Sequence, residues 1–354
     1  MKADSVDFLK SIVEVPSPSG FEQPVRELIS NRMEVFCDEV RHDVMGNVIG
    51  VLNPGAKTRV MLAGHCDEIG MMVKNITKEG YIYFAAIGGI DPTLLAGQRV
   101  LIHNERGNAP GVIGKKAIHL MEKEELGKAP RIHDLWIDVG AKDKKAAERL
   151  VAVGDCATVD AGFLRLDRDI VAARGFDDRC GAFAVAEAMR LLAADRKKLK
   201  VAVYGVATTQ EEIGLRGART SAFGIDPHAG IAVDVGFASD YPTADKNRVG
   251  DVSIGKGPII SKGANINPVL GQMLVDAAKR KKIPYQMEGA PRGTGTDANA
   301  MQMTRAGVAT ALVSVPNRYM HTPVEVVSLR DLENTSKLMA ATVLAIKASQ
   351  DFTP

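Results

Sequence analysis

The spacing of apolar residues divides the chain into regions of different character. Near the start these residues recur at helical spacing, as at Val6, Leu9 and Ile12. Two strand-like runs follow, and the second of them ends at His65. After Asp169, continuous apolar strands such as KVAVYGVATT and ATALVSV alternate with amphipathic helical segments. Such strands are typical of a sheet covered by helices on both faces, so these regions predict an α/β fold.

Residues 70–165 differ from both flanks. They contain short β-like runs such as YIYFAAI and DLWIDVG, broken by glycines and charged turns, and only KDKKAAERLVA has helical character. This pattern predicts a small, mainly β domain. We therefore expect a discontinuous α/β domain of residues 1–68 and 166–354, interrupted by a β-rich insert of residues 69–165. In the last helix, Ser328 and Asp331 predict a start of the capping-box type.

Composition and charge argue against several classes of function. The chain carries 45 basic and 43 acidic residues, and its net charge of +2 gives no reason to expect nucleic acid or an anionic membrane as a partner. No apolar run approaches the ~18 residues that span a bilayer, and the first residues lack the apolar core of a signal peptide. The four cysteines form no CxxC pair, so we expect free thiols and a cytoplasmic protein.

Candidate chemistry is concentrated where the apolar strands end. Ligand sites of α/β sheets form at the carboxyl ends of strands, so side chains at these positions converge although they are distant in sequence. Two histidines and three carboxylates suffice to hold two metal ions with one bridging carboxylate, and a further glutamate can serve as general base. The predicted ligands are His65, Asp177, Glu212, Asp234 and His321, and the predicted base is Glu211.

Individually, these residues also have structural interpretations. Asp67 can accept the second ring N–H of His65, or the two residues can simply end a strand. Asp178 can cap the helix that follows it, with Arg179 as a salt-bridge partner. The paired glutamates can be solvated loop residues. Asp297, in GTGTDANA, can line a substrate pocket or cap a helix.

The ordered series of motifs resembles the tetrahedral (TET) aminopeptidases, a family of co-catalytic metallopeptidases that includes glutamyl and leucyl aminopeptidases. The likeness covers nearly the whole chain. It is carried by PSPSGFEQPVRELI, AGHCDEIGMMV, GFDDRCG, TTQEEIGLRGA, VDVG, GTGTDANAMQ and MHTPVEVV. Some members of this family have been labelled cellulases or endoglucanases, although these residues suggest no glycoside chemistry beyond pairs of carboxylates.

The resemblance implies a fold and a site. The sheet would be mixed and similar to that of zinc peptidases, and the insert would be a barrel-like domain used in dimerisation. Asp67 would orient the metal-bound histidine, and Glu211 would be the general base. The two implied metal sites are His65–Asp177–Asp234 and Asp177–Glu212–His321.

The resemblance also implies an activity and an assembly. The activity is the removal of N-terminal residues from short peptides with a free N-terminus, with two divalent ions per subunit, zinc or cobalt. Family dimers assemble into a hollow tetrahedron of twelve subunits, so a homo-oligomer, specifically a dodecamer, is implied.

Other interpretations remain open on the residues alone. A two-metal carboxypeptidase or N-acyl-amino-acid deacylase could use the same ligands, and a metal-free scaffold would be poorly compatible with them. A glucan-active protein is disfavoured because aromatic residues are dispersed and make up only 5% of the chain. Arg292 or Lys262 would favour acidic substrates only if these side chains face the site.

Overall fold

The structure, a computed structural model, describes residues 1–354. The strands, in chain order, are β1 (Glu39–His42), β2 (Val48–Leu52), β3 (Arg59–His65), β4 (Gly70–Ile76), β5 (Ile82–Ile87), β6 (Arg99–Asn104), β7 (Gly107–Gly114), β8 (Trp136–Asp138), β9 (Cys156–Val159), β10 (Leu164–Arg165), β11 (Ile170–Ala173), β12 (Ala202–Thr208), β13 (Ala229–Phe237), β14 (Ile259–Gly263), β15 (Gln286–Ala290), β16 (Ala309–Asn317) and β17 (Glu325–Ser328). The helices are α1 (Ala3–Glu14), α2 (Gln23–Glu34), α3 (Lys144–Ala147), α4 (Phe176–Ala194), α5 (Arg216–Ile225), α6 (Lys246–Val249), α7 (Pro268–Lys281), α8 (Asp297–Gln302) and α9 (Leu329–Val343). None of these helices has the length and apolar character needed to cross a bilayer.

An eight-stranded sheet lies at the centre of the molecule, in the order β1-β2-β12-β3-β13-β16-β14-β15. Strands β12, β3, β13 and β16 are parallel neighbours. In contrast, β2 runs antiparallel to β1 and β12, and β14 runs antiparallel to β16. The predicted mixed sheet is confirmed, and its four central parallel strands end at one edge.

Helices cover both faces of this sheet. At Gly64 of β3, a Cβ atom would lie 2.4 Å from the backbone of Gly181 in α4, so the helix packs directly on the strand. Gly230 of β13 lies beside Met61, which points to the face opposite Gly64, and a Cβ at Gly230 would meet Met301 of α8. Helices α4 and α8 thus lie on opposite faces around a core of 65 buried apolar residues, which confirms the predicted α/β architecture.

Strands β4 to β9 form a closed barrel in the order β4-β5-β8-β7-β6-β9. The barrel has its own core of 15 buried apolar residues, and this confirms the predicted barrel-like insert. Strand β10 lies within the predicted insert but pairs with β11 in a small sheet that also contains β17. The limits of 69 and 165 for the insert stay a prediction.

The start of α9 differs in part from the prediction. Ser328 caps the helix, because its hydroxyl accepts the N–H of Arg330 at 3.3 Å. Asp331, however, accepts the N–H groups of Gly255 and Gly257 with its two carboxylate oxygens. The reciprocal half of the predicted capping box is therefore wrong, because a neighbouring loop supplies Asp331 with two donors.

Candidate metal centre

All five predicted ligands lie at the edge where the central parallel strands end. His65 is the last residue of β3, and Asp234 lies near the carboxyl end of β13. Glu212 lies in the turn after β12, and His321 lies in the loop after β16. Asp177, at the start of α4, reaches the same edge from the helix layer.

Asp177 lies between the two histidines. Its Oδ1 is 3.2 Å from Nε2 of His65, and its Oδ2 is 3.1 Å from Nε2 of His321. Oε2 of Glu212 lies 3.6 Å from the same His321 nitrogen. Zinc bonds of ~2.0–2.1 Å in a tetrahedral site place ligand atoms roughly 3.3 Å apart, so these separations suit atoms that share a cation. Ligand atoms of His65, Asp177 and Glu212 all lie within 4.8 Å of one another.

Asp178 lies close to the ligands but has other partners. Its ligand atom, with those of His65 and Asp234, forms a group within 4.8 Å of one another. Both of its oxygens are engaged, because Oδ2 accepts the N–H of His65 at 3.1 Å and Oδ1 accepts the N–H of Gly181 at 2.9 Å. The second contact caps the regular part of α4, as the structural interpretation of Asp178 predicts. Asp178 thus ties the end of β3 to the helix.

The buried carboxylate of Asp67 supports the turn that carries the two glutamates. It accepts the hydroxyl of Ser19 at 2.6 Å and the backbone N–H groups of Glu211 and Glu212 at 3.0 and 3.2 Å. Nδ1 of His65 lies 3.1 Å from the backbone oxygen of Asp67 and 3.5 Å from its carboxylate. The backbone carbonyl is therefore the nearer acceptor for the His65 ring, and the carboxylate mainly fixes the glutamate turn.

The site has an excess of buried negative charge. Burial raises the pKa of Glu212 to about 7, and burial close to Asp177 holds the pKa of Asp234 well above its usual value. No lysine or arginine forms an ion pair with these carboxylates; the imidazoles of His65 and His321 lie within 4 Å of Asp177, and that of His321 within 4 Å of Glu212. Oε1 of Glu212 is also buried with no hydrogen-bond partner. A carboxylate that stays charged when buried needs a compensating cation, so this donor set fits divalent metal ions.

Asp297 is buried behind the site and does not cap a helix. Thr296 caps α8 instead, because its side chain accepts the N–H of Ala298. Oδ2 of Asp297 accepts the hydroxyl of Thr208, the last residue of β12, and its Oδ1 is buried with no partner. The helix-cap interpretation of Asp297 is therefore wrong, whereas its position in a substrate pocket stays a prediction.

A cleft between the barrel and the large sheet reaches Asp177, Glu212 and His321. Two of the charged residues that line it, Glu68 and Arg174, pair with each other. Arg292 and Lys262 are exposed and do not line this cleft. The apolar residues that line it are Ile69, Met71, Ile90, Leu94, Leu95 and Val159, together with Pro323.

Two features of the site escape the sequence-based interpretation. Arg179 is fully buried and pairs with Glu68, so the predicted pair with Asp178 is wrong. The reason is that backbone N–H groups occupy both oxygens of Asp178. The second feature is Glu325, which is buried against two of the ligands. Its only signal in the sequence is a charge at the start of the apolar run EVVS.

Comparison with known proteins supports the same interpretation. A sequence model of the family described as M42 glutamyl aminopeptidase matches residues 46–338. The lysyl aminopeptidase of Pyrococcus furiosus is 41% identical over 351 residues, which cover 98% of this chain and 99% of that protein. Among solved structures, a TET aminopeptidase from a marine sediment archaeon of the Thaumarchaeota has a TM-score of 0.93 and 34% identity, and the match covers 98% of each chain.

A third relative is described as able to assemble into large shells. The TET1 peptidase of Pyrococcus horikoshii, which can form a tetrahedron or a large octahedral shell, matches with a TM-score of 0.86 and 34% identity. That match covers 97% of this chain and 100% of the other. The fold, the buried donor set and these near-complete matches agree. This chain belongs to the M42 glutamyl aminopeptidase family, and it is a metal-dependent aminopeptidase.

Proposed function

We propose that the donor set holds two divalent cations, zinc or cobalt, which share the carboxylate of Asp177. The observation that carries this proposal is that its two oxygens face Nε2 atoms of different histidines, at 3.2 and 3.1 Å. His65 and Asp234 would complete one site, and Glu212 and His321 would complete the other. Imidazole and carboxylate ligands suit both metals.

Glu211 is the general base in this proposal. When bound, the two cations would polarise the scissile carbonyl and lower the pKa of the attacking water toward ~7. Glu211 borders the ligand set, because its Oε2 lies 3.7 Å from Nε2 of His65. Its carboxylate takes the proton of the attacking water and delivers that proton to the leaving amine. Asp67 holds the base in place by accepting the backbone N–H of Glu211 at 3.0 Å.

Short peptides with a free N-terminus are the proposed substrates. The cleft offers apolar walls for peptide side chains on the way to Asp177, Glu212 and His321. A carboxypeptidase needs a cation for the carboxylate of its substrate, and Arg174, the one arginine or lysine lining the cleft, is occupied by Glu68. The lining of the cleft therefore supports recognition of an amino end over a carboxyl end.

A panel of amino-acid p-nitroanilides, free and N-acetylated, tests this proposal. The protein is assayed as prepared, after treatment with EDTA, and after zinc or cobalt is added back. We expect cleavage of the free-amine substrates alone, loss of activity with EDTA, and two metal ions per chain by elemental analysis. Cleavage of acetylated substrates would favour a deacylase, and a stoichiometry of one ion would remove the shared role of Asp177.

We also propose that the chain forms a homo-oligomer through its barrel, up to a dodecamer, in the cytoplasm. The barrel region exposes large apolar side chains, as expected of a surface that another copy covers. These residues are Val112, Ile118, Leu120, Leu126 and Val153. Light scattering should give a mass twelve times that of one chain, and Leu120→Glu should lower this mass without unfolding the barrel. A monomeric mass for the unaltered protein would contradict the proposal.

A further inference from the structure

Glu325 connects two of the ligands through their backbones. It lies at the start of β17 and is 1% exposed. Its Oε2 accepts the backbone N–H of Asp177 at 2.9 Å, and its Oε1 accepts the backbone N–H of His321 at 2.9 Å. One buried carboxylate therefore spans the start of α4 and the loop after β16, and each of its oxygens has a single donor.

The loop that carries His321 needs such an anchor. Tyr319 and His321 both have left-handed backbone conformations, with φ of 65° and 60°, which residues other than glycine rarely adopt. A strained backbone persists only where its surroundings fix it. Apart from its contacts with Asp177 and Glu212, His321 donates its backbone N–H to Glu325, and its Nδ1 lies 2.8 Å from the backbone oxygen of Gly89. The first contact holds the backbone, and the second holds the ring.

We propose that Glu325 is a positioning residue that sets the spacing between Asp177 and His321, and thereby the affinity for the cation held by Asp177, Glu212 and His321. This inference rests on the proposed two-cation site. Glu325 itself contacts these two ligands through their main-chain N–H groups. Glu325 therefore acts on the cation only by fixing where the side chains of Asp177 and His321 lie. Nε2 of His321 lies at distances from Asp177 and Glu212 that suit a shared cation.

Replacement by glutamine makes the inference specific. A glutamine side chain keeps the shape but has one acceptor oxygen, so either Asp177 or His321 loses its hydrogen bond and faces an NH₂ group. Both of these residues belong to the site with Glu212, so that site is weakened in either case. The site of His65 and Asp234 is weakened only when Asp177 loses its bond. Glu325→Gln should therefore weaken the site with Glu212 in either orientation of the amide, and both sites when Asp177 loses its bond.

Asp331 provides a matched control. It is also a buried carboxylate whose two oxygens accept backbone N–H groups, those of Gly255 and Gly257, but it contacts no ligand. Asp331→Asn removes the same kind of contact from a loop of the same unit. A general loss of stability should therefore appear in both variants, whereas a positioning effect should appear only in Glu325→Gln.

The experiment is a titration of the metal-free full-length protein with cobalt(II), followed by competition with a chromogenic chelator. For Glu325→Gln we expect the dissociation constant of at least one ion to rise about 10- to 100-fold, as is common when a group that orients a ligand is removed. Asp331→Asn should leave both constants within about two-fold of the unaltered protein. Glu325→Asp is the second variant, to be used if Glu325→Gln does not fold. It keeps the charge, but its shorter side chain cannot reach both N–H donors, so it should show the same loss of affinity.

Unchanged affinity for both ions in Glu325→Gln, or an equal loss in Asp331→Asn, would overturn the positioning role while leaving the two-cation site intact. An unaltered protein that binds fewer than two cobalt ions would instead remove the proposed site itself, and the positioning role with it. Binding is measured directly, so a defect in catalysis alone cannot imitate the expected result.

Discussion

Two clusters of buried charge lie side by side at the end of β3, and their electrostatics are opposite. In the first, the arginine cluster, Glu68 is paired with Arg174 and Arg179. Burial alone would raise the pKa of Glu68, but the two guanidinium groups outweigh it and hold that pKa below its usual value. In the second cluster, the metal centre, burial and the neighbouring Asp177 raise the pKa of Glu212, and no arginine or lysine forms an ion pair that would offset them.

The two clusters share the same stretch of chain. Asp67 and Glu68 are adjacent, yet Asp67 bonds to the glutamate turn of the metal centre and Glu68 bonds to the two arginines. The carboxylates of the two clusters are thus similarly buried, and the clusters differ in where the compensating positive charge comes from. In the arginine cluster the positive charge belongs to side chains of the protein, so the ion pairs are present whenever the chain is folded. In the metal centre it must come from bound cations, which ties activity to metal.

The largest expected effect comes from removing the proposed general base of the metal centre. Glu211→Gln should lower kcat about 10²- to 10⁴-fold, because the amide cannot take a proton from the attacking water. Metal content should stay at the level of the unaltered protein, since Glu211 is not one of the proposed ligands. Steady-state kinetics with a free amino-acid p-nitroanilide and elemental analysis measure the two quantities. Retained activity at pH 7 would exclude Glu211 as the base.

A comparable change in the arginine cluster should lower stability. Glu68→Gln leaves Arg179, which is fully buried, without its carboxylate, and we expect the free energy of unfolding to fall by about 3–5 kcal/mol. The double variant Glu68→Gln/Arg179→Met should recover part of this loss, because it removes the uncompensated charge. Urea unfolding of the metal-free variants gives both values. A fall below ~1 kcal/mol would mean that water or other groups compensate Arg179.

Metal should stabilise one cluster and not the other. Zinc or cobalt at 100 times its dissociation constant should raise the free energy of unfolding by about 2.7 kcal/mol for a single site, because only the folded chain assembles the ligands. The same increment should persist in Glu68→Gln and should shrink in Asp234→Asn, which loses a proposed ligand. Thermal unfolding at fixed metal activity measures it. An increment that disappears in Glu68→Gln would show that the two clusters are not separable.

The smallest effect is expected for an ion pair nearer the surface. Arg318 binds Asp240 and holds the pKa of its carboxyl below the usual value, although partial burial opposes this. The pair therefore stabilises the fold above pH ~3.8, and this contribution is lost as pH falls through the lowered pKa of the folded state. Asp240→Asn should reduce stability by about 0.2–1 kcal/mol at pH 7, and the difference should vanish in acid. Urea unfolding across this pH range tests the sign.

The sequence predicts the strand ends and the grouping of His65, Asp177, Glu212, Asp234 and His321, because periodicity and topology determine where these residues lie. It does not predict which atoms they meet. Arg179 pairs with Glu68, 111 residues away, and Asp331 binds a loop 74 to 76 residues before it. Such partners depend on how separate elements pack, and local spacing carries no information about that. The same limit explains why Glu325 is unremarkable in the sequence and becomes visible only through its two hydrogen bonds.

The position of the barrel also determines when the enzyme can form during synthesis. The chain enters β4 soon after His65, and Arg59 of β3 pairs with Ala202 of β12, which is made only after the whole barrel has left the ribosome. The barrel can gather its own 15-residue core during that interval. The last of the proposed ligands, His321, is made later still, after β16. A nascent chain that has not yet reached His321 therefore lacks a complete peptidase centre, even when its barrel has already formed.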